Sequence, residues 1–199
     1  MMLVEVSPVP GASLPVQALK DHLRMGSGFA EDTLQDNLLE GFLRAALAAI
    51  EARTGKALYR RAFTWTLEAW RQGDRQALPL APVSAVTALV VIDALGAETT
   101  MGAASFRLVP DAQRPLVVAL SGTMPTIPQN GSARLALTAG FSTDWAGMPP
   151  DLQQGVLMLA AHFYEYRQET GLAEGCMPFG VTAMIERYRP VRLGLGGGS

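Results

Sequence analysis

The spacing of apolar residues changes twice along this 199-residue chain. Up to Gly55 and again after Asp151, apolar residues recur every three or four positions, which is the spacing of a helix face. Between these stretches they alternate with polar residues, as Phe63, Trp65 and Leu67 do, which is typical of a strand with one buried face. The pattern predicts an α+β fold in which a helical bundle body is interrupted by an inserted, mostly antiparallel β domain.

Helix start and stop signals divide the helical stretches into four elements. Ser13 can cap a first helix that ends near residue 26, and two acidic residues favour a second helix over about 31–55. A third helix is predicted over about 151–170 and a short amphipathic one over about 178–188. In the β stretch, prolines and glycines separate further strand-like segments at 86–92, 98–101, 106–109, 116–120 and 133–138.

These elements predict a division of the chain. Residues 1–12 form an extended N-terminal arm, residues 13–59 and 143–190 the helical body, and residues 60–142 the β domain. Residues 191–199 form a flexible, glycine-rich C-terminal tail. We expect the arm and the tail to become ordered on assembly, as disordered binding segments do.

The helix predicted over 151–170 is apolar almost all round. Such a helix must bury most of its surface, for which a compact domain of this size offers limited room. The sequence therefore indicates that this helix packs against other subunits.

The charge pattern argues against nucleic-acid binding. The net charge is −2 and 17% of the residues are charged, which gives no strong positive field for phosphates. The densest basic cluster consists of Arg53, Lys56 and Arg60-Arg61, with Trp65 nearby. Cations at a helix C-terminus complement the helix dipole, and this is the favoured interpretation of the cluster. We also expect intracellular synthesis, because no signal-peptide pattern or membrane-length apolar run is present.

Candidate catalytic chemistry is sparse. Cys176 is the single cysteine and the histidines are His22 and His162, so no Cys/His zinc site can form. His162 and Glu165 share a helix face, but no further ligand completes a metal set, and packing between aromatic residues is the favoured interpretation. The turn at 26–28 lacks phosphate-loop spacing, and no nucleophile elbow occurs. We expect no enzyme activity, no cofactor and no metal.

The order of short motifs resembles the head-tail connector, or adaptor, proteins of long-tailed bacteriophages and related gene transfer agents. The segments that carry the resemblance are EARTGKAL (51–58), LPLAPVSAV (78–86), TAGF (138–141), PPDLQQG (149–155), HFYEYR (162–167) and PFGV (178–181). They span about residues 13 to 189 in the family's order.

The resemblance implies a structural protein located at the head-tail interface of a virion or phage-like particle. Such proteins form a ring, commonly of twelve copies, beneath the portal protein. The ring extends the DNA channel and offers a platform for stopper or tail-terminator proteins. DNA passes through it without sequence-specific binding, and no membrane is involved.

Two sets of site residues follow as hypotheses. A ring uses contacts between two different surfaces of each subunit, so the apolar third helix would supply the subunit interface. Its candidate residues are Leu152, Val156, Leu159, Phe163 and Tyr166. The resemblance implies portal docking by the C-terminal segment, with candidates Arg187, Arg189, Arg192, Leu193 and Leu195.

Two other functions stay open at this point. One is a stand-alone β-domain module that binds a small ligand or carbohydrate through Trp70 and Trp145. The other is a hydrolase that uses Glu165 and His162.

Overall fold

Four helices form in this computed structural model, which describes residues 1–25, 35–168 and 177–189. They are α1 (Val16–His22), α2 (Asp36–Thr54), α3 (Pro150–Glu165) and α4 (Phe179–Ile185), and a 3-10 turn over Glu186–Tyr188 extends α4. Helix α2 ends as predicted, because Gly55 adopts the left-handed conformation at φ 66° and donates its N–H to the Glu51 carbonyl. Helix α3 ends earlier than expected, at Glu165.

The described part of the chain contains eight strands, which form two antiparallel sheets. The strands are β1 (Met2–Glu5), β2 (Arg61–Leu67), β3 (Arg75–Ala77), β4 (Val83–Ile92), β5 (Glu98–Thr100), β6 (Phe106–Val109), β7 (Leu116–Ala119) and β8 (Ser132–Ala139). A five-stranded sheet has the order β1-β2-β8-β4-β5, and a three-stranded sheet has the order β3-β7-β6. The predicted α+β class is confirmed.

The N-terminal segment corrects one expectation. Residues 2–5 are extended, but they already pair with β2 inside the same subunit, with Met2 opposite Thr66 and Glu5 opposite Phe63. An arm that becomes ordered on assembly is therefore the wrong description for these residues. Strand β3 was not predicted at all, because three residues are too few to show an alternation.

The buried side chains form two separate hydrophobic cores. One lies among the helices and takes its side chains from α1, α2, α3 and α4. The other lies between the two sheets, where Phe63, Trp65 and Leu67 meet Val117 and Phe106. The helical core thus unites residues that the intervening β segment separates by about a hundred positions in the sequence.

The chain passes between the two cores at a tight backbone junction formed by residues 56–60 and 140–142. Gly140 has φ 129°, and a Cβ at this position would lie 2.3 Å from the Tyr59 carbonyl oxygen. The Phe141 N–H donates to the Leu58 carbonyl, and the Arg60 N–H donates to the Ser142 carbonyl. Glycine is therefore required at 140 both for its conformation and for the close approach.

Candidate functional site

Helix α3 does not expose the apolar face that the sequence predicted as a subunit interface. Leu152 and Val156 are fully buried and Leu159 is 1% exposed within the single chain. They pack into the helical core together with α2 residues such as Leu43 and Ile50. Because side chains that are already buried offer no surface to a second subunit, the interface prediction is wrong for these three positions.

The C-terminal half of α3 is less covered. Phe163 is partly buried against the helical core, whereas Tyr166 is 40% exposed. The His162 ring lies 4.7 Å from the Tyr166 ring between centroids, which agrees with the packing interpretation of this histidine. Among the described side chains, no three His, Cys, Asp or Glu residues are grouped to hold a metal ion.

The N-terminal end of α3 binds the end of the C-terminal helix. The Tyr188 hydroxyl donates to Asp151 Oδ1 at 2.8 Å, and Arg187 Nε lies 2.8 Å from Asp151 Oδ2. The Arg187 guanidinium also lies over the Tyr188 ring, 4.7 Å from its centroid, and its terminal nitrogen contacts the Tyr188 hydroxyl. Burial raises the pKa of Tyr188, and its hydrogen bond to Asp151 contributes in the same direction.

The loop between β6 and β7 contacts both Arg187 and Lys56. Gln113 Nε2 donates to the Arg187 carbonyl at 3.2 Å, while its Oε1 accepts from Lys56 Nζ at 2.7 Å. Lys56 is 3% exposed and donates as well to the Ala112 carbonyl at 2.6 Å. Burial lowers the pKa of Lys56, against the attraction of Asp111.

We call Asp151, Arg187, Tyr188 and Gln113 the C-terminal anchor. The sequence placed Asp151 at the start of the third predicted helix and Arg187 among the portal-docking candidates, and it gave no signal that the two side chains meet. The anchor holds the C-terminal end of the described chain against α3. Arg189, the last described residue, pairs through its guanidinium with Glu186 at 3.0 Å. The other docking candidates, Arg192, Leu193 and Leu195, lie outside the described residues.

The basic cluster near residue 60 is largely used inside the subunit. Arg61 binds Glu51 at 2.7 Å and Glu5 at 2.8 Å, which raises the pKa of its guanidinium despite burial. Arg60 donates to the Phe141 carbonyl at 2.9 Å. With Lys56 buried as well, these cations stabilise the junction, in agreement with the interpretation that they are structural.

Trp70 and Trp145 do not form a common binding surface. Trp70 packs against the β core and donates its indole N–H to the Pro125 carbonyl at 2.7 Å, whereas Trp145 packs against the helical core. A cavity of about 230 Å³ opens between the sheets beside Leu89, Phe106 and Met124, but neither tryptophan lines it. Its lining carries the hydroxyl groups of Ser105, Ser121, Thr123 and Thr126 but no charged side chain.

None of the described helices combines the length and hydrophobicity that a membrane span needs.

Comparison with known proteins places the chain among particle components. No protein-family model and no curated protein matches it. Among solved structures, a component of the neck of an empty gene transfer agent particle, computed with C6 symmetry, is 53% identical with a TM-score of 0.89. A component of the virion of a native particle is 52% identical with a TM-score of 0.87, and one from a native neck computed with C12 symmetry is 50% identical with a TM-score of 0.84. Each alignment covers 99% of both chains.

Proposed function

This chain belongs to the head-tail connector family of gene transfer agent particles, and we propose that it acts as the adaptor of the particle neck. It is a structural component of the virion at the head-tail interface. In the proposed role, copies of the chain form a ring, with twelve copies as the favoured number, beneath the portal protein. The ring extends the DNA channel and gives the stopper or tail-terminator protein its platform.

The high identity over nearly the whole chain supports this proposal. At 50–53% identity and 99% coverage of both chains, the backbone fold carries over without a missing or added domain. The neck structures of the relatives were computed with six-fold and twelve-fold symmetry, which favours a rotational ring for this chain too. The related chains are structural components of a particle, so we propose a role without catalysis.

The single observation that carries the portal contact is the C-terminal anchor. Its ion pair and hydrogen bonds hold Arg187 and Tyr188 against Asp151, so that the last described residues of the chain have a fixed place in the subunit. A segment that leaves from a fixed place in every copy of a ring can reach equivalent sites on a partner above or below it. We therefore propose that residues 190–199 bind the portal, while the helical body and the β region form the ring.

A truncation tests the portal contact. Deletion of residues 191–199 should leave the circular dichroism spectrum and the melting temperature unchanged, because these residues follow the anchor. The same deletion should remove binding to purified portal rings in a co-sedimentation assay. The matched control is the substitution Leu95→Ala, which truncates a side chain that is 94% exposed in a turn of the β region.

The ring itself needs a separate measurement. Native mass spectrometry and negative-stain imaging of the full chain, alone and with portal rings, should show a closed ring. A chain that stays monomeric in both samples and is missing from purified necks would contradict the adaptor role. Retained portal binding by the truncated chain would instead remove residues 191–199 from the mechanism and leave the ring intact.

A further inference from the structure

The five-stranded sheet has one face in the β core and one face outside it. Residues opposite each other in an antiparallel ladder point to the same side, so the register assigns every side chain to a face. Thr64 lies opposite both Val4 and Ala136, and Ala136 lies opposite Ala88. These four residues belong to neither hydrophobic core, in contrast to their inward-facing neighbours Phe63 and Leu135. We call this side the outward face of the sheet.

The outward face carries almost no charge. Threonine, alanine, valine and methionine occupy most of its positions, and Met2 and Val4 remain 61% and 44% exposed. Within the five strands, the charged residues on this face are Arg134 and Glu98, which neutralise each other at 2.7 Å. Solvent-facing sheet surfaces are usually rich in charged side chains, so one whose few charges neutralise each other is typical of a protein contact.

The size of the outward face fits such a contact. Strands about 4.8 Å apart that rise about 3.3 Å per residue give each face of this twisted sheet an area of roughly 500 Å². A standard protein interface takes about 800 Å² from each partner. The exposed Met1 and Val6 at the edge of the face add apolar surface, so the face supplies most of one side of a stable contact.

We propose that the outward face binds the neighbouring copy of this chain in the ring, an inference that rests on the proposed adaptor function. In a ring each copy has a neighbour on either side, and each contact joins two different surfaces. Because Arg134 and Glu98 pair with each other on this face, the face needs no oppositely charged partner surface. The partner surface on the next copy is a different surface of the chain from this face.

The alternative of one continuous sheet around the ring fails on geometry. Adjacent strands are rotated by about 20–25°, so the edge strands β1 and β5 differ in direction by roughly 80–100°. Neighbouring copies in a ring of twelve differ by a rotation of about 30°. Strand β5 of one copy therefore cannot align with β1 of the next copy, which excludes an edge-to-edge contact between these two strands.

A matched pair of lysine substitutions tests the contact. Thr64→Lys places a charge in the middle of the outward face, whereas Thr99→Lys places one on the other side of the same sheet, at an exposed position opposite Val91. Thr99→Lys should melt within about 2 °C of the unchanged chain, because substitutions at exposed positions change stability little. Thr64 is half-buried, so the melting temperature of Thr64→Lys is measured first and assembly is compared at a temperature at which both variants are folded. Thr64→Lys should weaken ring assembly at least about tenfold, since an unpaired cation buried in a contact is costly, and Thr99→Lys should not.

Photo-crosslinking in assembled particles identifies what covers the face. A photo-reactive amino acid in place of Thr64 should give a covalent dimer of the 21.2-kDa chain. Crosslinking to a different neck protein or within one chain, or unimpaired ring assembly by Thr64→Lys, would overturn this inference while the chain still lies in the neck. Absence of the unmodified chain from necks and rings would overturn the adaptor function and this inference together.

Discussion

The helical region and the β region differ in how far their apolar side chains are buried within the single subunit. Helix α3 is apolar almost all round in sequence, yet it buries Leu152, Val156 and Leu159 inside the single subunit. The β region has an alternating sequence, yet it leaves a broad uncharged face outside its core. An excess of apolar residues along one helix is therefore a poor guide to an assembly surface, because other helices of the same chain can cover it.

The largest expected effect concerns the helical core. Leu152→Ala should lower the free energy of unfolding of the isolated chain by about 2–5 kcal/mol, because the side chain is fully buried and its removal leaves a cavity. Urea denaturation followed by circular dichroism measures this change. The control Leu38→Ala removes a side chain that is 46% exposed on α2 and should cost well under half as much. Equal costs for the two variants would mean that α3 is not covered within the subunit.

The second effect concerns the junction between the two regions. Gly140→Ala should cost roughly 1–3 kcal/mol or more, because φ 129° is unfavourable for alanine and its Cβ would meet backbone atoms of Tyr59 and Arg60. Gly73→Ala is the matched control, since its Cβ would meet no atom within 4 Å and its φ is not positive. Thermal melts of both variants test this prediction. A melting temperature of Gly140→Ala equal to that of Gly73→Ala would show that the junction is not tightly packed.

The third effect is the pH dependence of the same junction. Burial, with a smaller contribution from Asp144, raises the pKa of Tyr59 to about 12 from 10.0, and its hydroxyl donates to the Ser13 carbonyl at 2.7 Å. The folded state thus favours the neutral phenol. The associated stability is fully present below pH 10 and is lost as the pH rises through 12.

Tyr59→Phe tests this linkage. Unfolding free energies measured between pH 9 and pH 12 should fall less steeply in the variant than in the unchanged chain. At pH 7 the variant should lose about 1 kcal/mol, because the Ser13 carbonyl then lacks its donor. Parallel pH profiles for the two proteins would exclude Tyr59 as the titrating group.

The smallest effect concerns the edge of the β region. Glu5→Gln removes a carboxylate that binds Arg61 at 2.8 Å, but Arg61 keeps its stronger partner Glu51. The global unfolding free energy should change by about 0.2–1 kcal/mol, as for other partly exposed ion pairs. Hydrogen exchange should nevertheless become faster in β1 and stay unchanged in β8. Faster exchange across the whole sheet would mean that β1 belongs to the β core.

Sequence patterns predicted the elements whose signals are local. The alternation of Phe63, Trp65 and Leu67 gave β2, and Gly55 gave the end of α2, because each signal lies within a few residues. Strand β1 was predicted as a free arm because its pairing partner Thr66 is about sixty positions away. The same holds for the C-terminal anchor, where Asp151 and Tyr188 are 37 positions apart.

The sequence by itself determined the α+β class, the weak charge and the order of motifs that the connector family shares. These properties depend on residue type and short-range spacing, which folding does not change. The tertiary structure alone decided which apolar surfaces are covered. Helix α2 covers α3 although about a hundred residues separate them, while no described helix packs on the outward face of the sheet. Burial is a property of contacts between distant segments, so the same apolar residue can belong to a core or to an assembly surface.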